Sequence, residues 1–376
     1  MMFFRFFLFL YFCTVSFTDI FILEFEYIRF YTVFNLFLFI LLINSRLRIF
    51  SFHLIIFSFL FLFIAYNLLF IDISFISKHF KYVIVFVFVI VLHLVTIVLV
   101  MRRIGLAYSV KYLKYGYYFT LICVIIEFLL NIFGFDVFLP GRSSIASARI
   151  FVKRAYFYAT EPSTLASYII VLSPIVFGML KTKVERLGHI ILSFLSVFGT
   201  LSIFSLIVYP VMFIFHNFKI GFLVLFFMFL LFFFVDGEII DVLQSKILLE
   251  DGGSGGERSY DFMNSLSLLR TNFLFGNGWG IETYLFGTSA HNFHLSVLVS
   301  NGFIGYTFFL LYFLILNIYA PISKSKFNFS CWISIFLSAV FLVNSSSFYE
   351  PHYYLGMSFL LAFGDRGISL KKQFKL

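Results

Sequence analysis

The chain has 376 residues, 62% of them hydrophobic and 12% charged, with a net charge of +9 and a mean hydropathy of +1.03. An average soluble domain carries about 25% charged residues, so 27 Lys and Arg with 18 Asp and Glu are too few to clothe a soluble protein of this length. This excludes a water-soluble enzyme, a nucleic-acid-binding domain and a disordered chain, and predicts an all-α polytopic integral membrane protein.

Crossing the hydrocarbon core takes about 20 apolar residues. The predicted spans are residues 6–22, 30–43, 49–71, 82–101, 116–135, 164–180, a long stretch at 187–218, then 220–235, 293–319, 329–348 and 355–363. Arg5 before the first run resembles the start of a secretory signal, but only Ser16-Phe17-Thr18-Asp19 follows, with no small-residue cleavage site. The first run is therefore read as an uncleaved span. Cys13, Cys123 and Cys331 all sit in apolar runs and show no metal-ligand spacing, so a stabilising disulfide is not expected.

Residues 187–218 admit two readings. One helix of that length would run about 48 Å, against a core of about 30 Å. Two spans with a turn near Thr200-Leu201-Ser202 would each be short. Charge favours two. The total is then about twelve transmembrane helices in a single membrane domain, 1–376, with both termini cytoplasmic. The inner side collects Arg5, Arg46, Arg48, Arg102, Arg103, Lys111, Lys114, Lys181, Lys183, Arg186, Lys219, Lys324, Lys326, Arg366, Lys371, Lys372 and Lys375. Most acidic residues fall outside; Glu185 and Asp365 are inside, and Glu127 lies within a span. Polar chemistry is left to two long outer loops, 136–163 and 236–292. No internal repeat supports the inverted halves of many transporters.

In the first loop Arg142, Arg149 and Lys153 are spaced for one helical stripe, with Arg154 beside it. Such a stripe suits a helix on anionic head groups. It equally suits a cradle for a diphosphate, because guanidinium pairs with phosphate oxygens. Glu161-Pro162-Ser163 opens the next span, where an acidic residue and a proline are ordinary capping chemistry. In the second loop Gly252, Gly253, Gly255 and Gly256 predict a flexible hinge. Residues 258–270 predict a helix with an apolar face at Phe262, Leu266 and Leu269, and with Arg258 and Arg270 at its ends. Gly276-Asn277-Gly278-Trp279-Gly280 predicts a tight turn without dinucleotide spacing.

Where this loop re-enters the membrane, His291 and His294 are three apart and would share a helical face. The pair can be read as a metal site, though no carboxylate or cysteine lies close by. It can be read as hydrogen-bonded structure, or as a general base at His291. Glu127 should face the bundle interior, with Asn131 one turn away as a partner. His53, His93 and His189 read as buried polar contacts or interface residues. Tyr349-Glu350-Pro351-His352 forms a short outer turn that either completes an outer site or caps the last span.

Three segments in order resemble the O-antigen polymerase family, within the superfamily that includes the O-antigen ligases. They are the basic loop ending Arg154 and Glu161-Pro162-Ser163; Glu257-Arg258 with Phe275-Gly276-Asn277-Gly278; and His291-Asn292 with Asn301-Gly302-Phe303-Ile304-Gly305. They cover residues 142–316, under half of the chain. The resemblance implies a glycosyltransferase of the bacterial cytoplasmic (inner) membrane, acting at the periplasmic face. Its donor would be an undecaprenyl diphosphate-linked oligosaccharide and its acceptor a new lipid-linked repeat unit. It implies no cofactor, no metal and no nucleic acid, and admits a chain-length regulator and membrane lipid as partners. A ligase would instead deliver the glycan to lipid A-core. Ligases commonly carry Ser-Arg after the segment matching Gly199-Thr200-Leu201-Ser202, where this chain has Ser202-Ile203.

The physical hypothesis assigns diphosphate neutralisation to Arg154 and Arg258, then Arg149 and Arg142. His291 takes the acceptor proton, and Glu161 orients a histidine or an arginine. Lys153, Arg270, His294 and His352 complete the expected substrate-binding set. A lipid-linked oligosaccharide flippase is the main rival. A transferase using lipid monophosphate sugars, suggested by Glu24 and Glu26, and a general transporter rank below it.

Overall fold

The computed structural model describes residues 2–16, 30–43, 58, 61–62, 65–66, 92–135, 155, 162–200, 202–216, 218–234, 254–278, 281–286, 292–319, 352, 354–356 and 358–359. All regular structure among these residues is helical. The helices are α1 (Met2–Thr14), α2 (Phe30–Ile43), α3 (His93–Ile104), α4 (Leu106–Ile132), α5 (Pro162–Phe177), α6 (Lys183–Gly199), α7 (Ile203–His216), α8 (Phe218–Phe234), α9 (Ser254–Thr271), α10 (Ile281–Phe286) and α11 (Phe293–Tyr319).

The core bundle forms around α4. Helices α1 and α6 run parallel to it. On the α1 side, Arg5 lies 5.5 Å from the Tyr108 ring centre, and Ser16 Oγ is 3.0 Å from Thr120 Oγ1. A Cβ at Gly116 would overlap the Phe12 carbonyl, so the missing side chain lets the two backbones meet. On the α6 side, Tyr118 Oη is 3.1 Å from His189 Nδ1, and Ser196 Oγ donates to the Leu121 carbonyl at 3.3 Å. Helix α5 runs back between them, with Tyr117 Oη donating to the Ile169 carbonyl at 3.2 Å.

The ambiguous 187–218 stretch is two antiparallel helices. Ser193 of α6 hydrogen-bonds the Tyr209 hydroxyl of α7, and the Tyr209 hydroxyl reaches the Ile190 carbonyl at 3.3 Å. The break falls at residues 200–202, where the turn was expected. Helix α8 then folds back on α7, close enough that a Cβ at Gly221 would overlap Ile214.

One end of this bundle is cationic. Arg103 donates to the Leu41 carbonyl at 2.8 Å and lies over Phe4. Lys111 and Lys114 lie over Tyr115 and Tyr118, and Lys114 approaches Glu185 at 3.8 Å. Arg186 lies over Phe177 and donates to the Leu180 carbonyl at 3.0 Å. These contacts explain why α4 begins at Leu106, ahead of the expected residue 116. Each ammonium lies over the tyrosine ring one turn further along α4, so the two charges are held on the helix wall and do not stop the helix.

Among the described residues two helices are long and apolar enough to cross a membrane: α4, and residues His294–Leu311 of α11. Each has only 39% of its apolar window buried, less than a soluble core helix would have. The outward face of α4 shows Ile122, Ile126, Leu129 and Ile132, and that of α8 shows Phe222, Phe226 and Phe229. The span expected at 329–348, most of that at 49–71, and residues 82–91 of that at 82–101 lie outside the described residues; the rest of the last falls in α3.

Candidate functional site

Helix α11 matches the span expected at 293–319, but it is broken. Gly302 has φ 64° and ψ −175°, so a short helix ends at Asn301 and a longer one starts at Phe303. The segment after α9 fills the break. Asn277 N and Gly278 N donate to the carbonyls of Val299 and Ser300, both at 2.9 Å. In return Phe303 N and Ile304 N donate to the carbonyls of Phe273 and Leu274, at 2.8 and 3.2 Å. The Tyr66 hydroxyl bridges the carbonyls of Phe275 and Asn301, at 3.2 and 3.1 Å.

Gly276 and Gly302 sit face to face at the centre of this clasp. A Cβ on either would overlap the other's backbone, and both have positive φ. Only glycine satisfies both demands at once. Of the tight turn expected at Gly276–Gly280, the part to Gly278 is described, with φ 82° at Gly276 and 90° at Gly278. The clasp therefore joins Phe275-Gly276-Asn277-Gly278 to Asn301-Gly302-Phe303-Ile304, segments separated in sequence and both singled out there.

Helix α9 differs from expectation in two ways. It begins at Ser254, so Gly255 and Gly256 form its first turn and are not a hinge; Gly252 and Gly253 lie outside the described residues. Its inward face carries Asp261 and Ser265 with Leu266, Leu268 and Leu269, while Phe262 is exposed. The three leucines pack on Ile281, Leu295 and Val299, which overrides the simple apolar stripe. Arg258 lies near the start of α9, and Arg270 is exposed at its end. The two are therefore about 18 Å apart along the axis and mark opposite ends of the helix.

The helix carrying His294 begins at Phe293. Asn292 caps it: its Oδ1 accepts from Leu295 N at 3.0 Å, the usual reach of an N-cap to the third helical residue. The shared face expected of His291 and His294 rests on a residue outside the described ones. His294 Nδ1 meets the Tyr306 hydroxyl at 3.1 Å, across the break. Its observed partner is on the far half of its own span. His291 lies outside the described residues, as do Arg142, Arg149, Lys153, Arg154 and Glu161.

Two neighbours of that basic loop are described. Ala155 is buried, and its N–H donates to the Gly199 carbonyl at 2.9 Å. The residue after Arg154 is thus tied to the α6–α7 turn. Helix α5 starts at Pro162, which places the proline in its first turn as expected, while the capping role read for Glu161 lies outside the described residues. His352 is buried against α5, with Nε2 3.0 Å from Ser167 Oγ and its ring edge-on to Tyr168.

The interior polar groups follow expectation. His93 meets the Tyr11 hydroxyl at 2.5 Å. His189 is held between Tyr118 and Ser173, whose Oγ is 2.9 Å from Nε2, and stacks on Tyr117. Glu127 and Asn131 are both buried on α4. Cys13 and Cys123 are free thiols. The sequence pattern missed the Gly276–Gly302 pairing and the bridging role of Tyr66. The available signal was a glycine after Asn301 in the middle of an otherwise helical apolar run. No family model and no curated protein matches the chain.

Proposed function

We propose that the chain is a polytopic inner-membrane glycosyltransferase that polymerises lipid-linked glycan repeat units at the periplasmic face. The observation that supports this best is the clasp. Two of the three segments carrying the resemblance, Phe275–Gly278 and Asn301–Ile304, are hydrogen-bonded partners although over twenty residues separate them. The tie of Ala155 to Gly199 supports it further, because it brings the chain beside Arg154 to the turn where ligases carry their arginine.

In this reading an acceptor sugar hydroxyl attacks the anomeric carbon of the donor glycan. The bond from that carbon to the lipid diphosphate breaks, and the diphosphate leaves with the electron pair. His291 accepts the hydroxyl proton, a contribution of about 10²- to 10⁴-fold in rate. Arg154 and Arg258 neutralise the leaving diphosphate. Arg142, Arg149, Lys153 and Arg270 add positive potential along the lipid's path, and His294 lines the approach; His352, buried against α5, is left with a packing role instead of the substrate contact expected of it. Direct displacement inverts the anomeric centre.

A flippase for the same lipid-linked oligosaccharide is the second reading, favoured by the broken α11, since discontinuous helices line substrate sites in transporters. Deleting the gene and running the surface glycan on a gel separates the two. Loss of a polymerase leaves core plus a single repeat unit; loss of a flippase or a ligase leaves bare core. His291→Ala and Arg258→Ala should each give the single-unit pattern at normal protein level. Normal ladders from both variants would overturn the assignment.

A further inference from the structure

We propose that residues 271–278 are a re-entrant element, dipping from the surface into the acyl region of the leaflet that holds the N-terminal half of α11. The occupant of its exposed apolar face is lipid acyl chain. The inference rests on α11 spanning the membrane, as in the function proposed above, and goes beyond it. That reading alone would leave the whole 236–292 loop in water.

Depth is the first argument. Gly302 lies eight residues into the apolar window His294–Leu311, about 12 Å along the helix at 1.5 Å per residue. Half of a hydrocarbon core of about 30 Å is about 15 Å, so the break sits near mid-membrane. The segment 273–278 is hydrogen-bonded to the backbone on both sides of that break and shares its depth.

Chemistry is the second. Irregular backbone survives at such depth only where its polar groups are satisfied within the protein. Here the segment and the broken helix satisfy each other. The polar side chains also find hydrogen-bond partners within the protein. Thr271 Oγ1 donates to Asn277 Oδ1 at 2.9 Å, Asn277 Nδ2 to the Leu268 carbonyl at 2.8 Å, and Asn272 Nδ2 to the Gly276 carbonyl at 2.6 Å. Residues 271–281 carry no charged side chain, between Arg270 and Glu282.

Continuity is the third. Phe303, on the outward face of α11, is 51% exposed, and Phe273 is stacked on it at 5.7 Å and is itself 50% exposed. Leu274 beside it is 52% exposed. These rings extend the lipid-facing surface of the span.

The test uses the full-length protein with its three native cysteines replaced, reconstituted in phosphatidylethanolamine–phosphatidylglycerol vesicles. A fluorophore is attached at Leu274→Cys or, in a second variant, Phe273→Cys. Reference positions are Ile126→Cys and Leu311→Cys for lipid, and Lys183→Cys for water. Brominated acyl chains should quench either loop label as strongly as the Ile126 label, and aqueous iodide should not. Quenching by iodide at the loop, with Ile126 and Leu311 quenched by bromolipid, overturns the re-entrant element and leaves the span standing. Iodide quenching at Ile126 and Leu311 as well overturns the membrane reading itself. A loop label quenched by neither agent is covered by protein, which also overturns the proposal.

Discussion

Glu185 orders the turn between α5 and α6 although it is exposed. Its Oε2 accepts from Lys181 N and Thr182 N, both at 3.1 Å, while Glu185 N donates back to Thr182 Oγ1 at 3.1 Å. This is a capping box, in which two orphan donors at a helix start are satisfied reciprocally. The hydrogen bonds from Thr182 and Lys181 hold the carboxyl below the 4.5 of a free glutamate, and nearby Lys114 adds to the effect. A depressed folded-state value means the carboxylate stabilises the fold above its unfolded value. That contribution is lost as pH falls through the lower, folded value. The melting temperature should therefore fall with acidification from neutral pH to below the ordinary glutamate range. Glu185→Gln should lack that component and sit below the wild type at pH 7. Equal pH profiles for the two proteins in a detergent thermal-shift assay would remove the carboxylate from this role.

At the scale of elements, the broken α11 carries most of the structural information. Gly302 combines a left-handed backbone with a neighbour in van der Waals contact, so Gly302→Ala incurs both strain and overlap. Strained non-glycine residues cost about 1–3 kcal/mol each, and the overlap with Gly276 and the Leu274 carbonyl adds to that. The clasp should open: thermal stability should drop, and the long glycan ladder should shorten or vanish. Ala substitution at Gly188, where a Cβ meets nothing within 4 Å, is the matched control and should leave both unchanged. Most helices were legible from apolar runs: α2 and α11 have the expected bounds, and α8 differs by only a few residues. The break itself was not legible, because hydropathy reports only that a segment is apolar. A φ of 64° depends on what packs opposite, and here that is a segment from a different part of the chain. The inward face of α9 was legible in part: Leu266 and Leu269 are on it as expected, and Phe262 is not. Buried Asp261 and Ser265 replace Phe262 there, a tertiary choice that overrides the 3.6-residue pattern. The capping role of Asn292 was also missed, although a cap residue at a polar-to-apolar boundary is a signal the sequence carries.

For the whole molecule, helix direction and charge can be set against each other. The ordering of basic residues by side was a count over loops, blind to packing. The packing independently gathers Arg5, Arg103, Lys111, Lys114 and Arg186 at one end, through contacts that link α1, α2, α3, α4, α5 and α6. Helices α6 and α7 are antiparallel, and α8 folds back tightly on α7, so Lys219 at the start of α8 returns to that same cationic end. If one long helix had filled 183–216, Lys219 would have lain at the other end. In the proposed inner-membrane reading, the positive-inside rule would make the cationic end cytoplasmic. Reporter fusions therefore have definite expected signs. A fusion at Lys219 should be active only as a cytoplasmic reporter, and one at Gly255, beyond the single further crossing of α8, only as a periplasmic one. A cytoplasmic signal at Gly255 would reverse the orientation of α9 and α11. It would place the clasp, and with it Arg258 and Arg270, on the side from which a lipid-linked glycan at the periplasmic face cannot be reached.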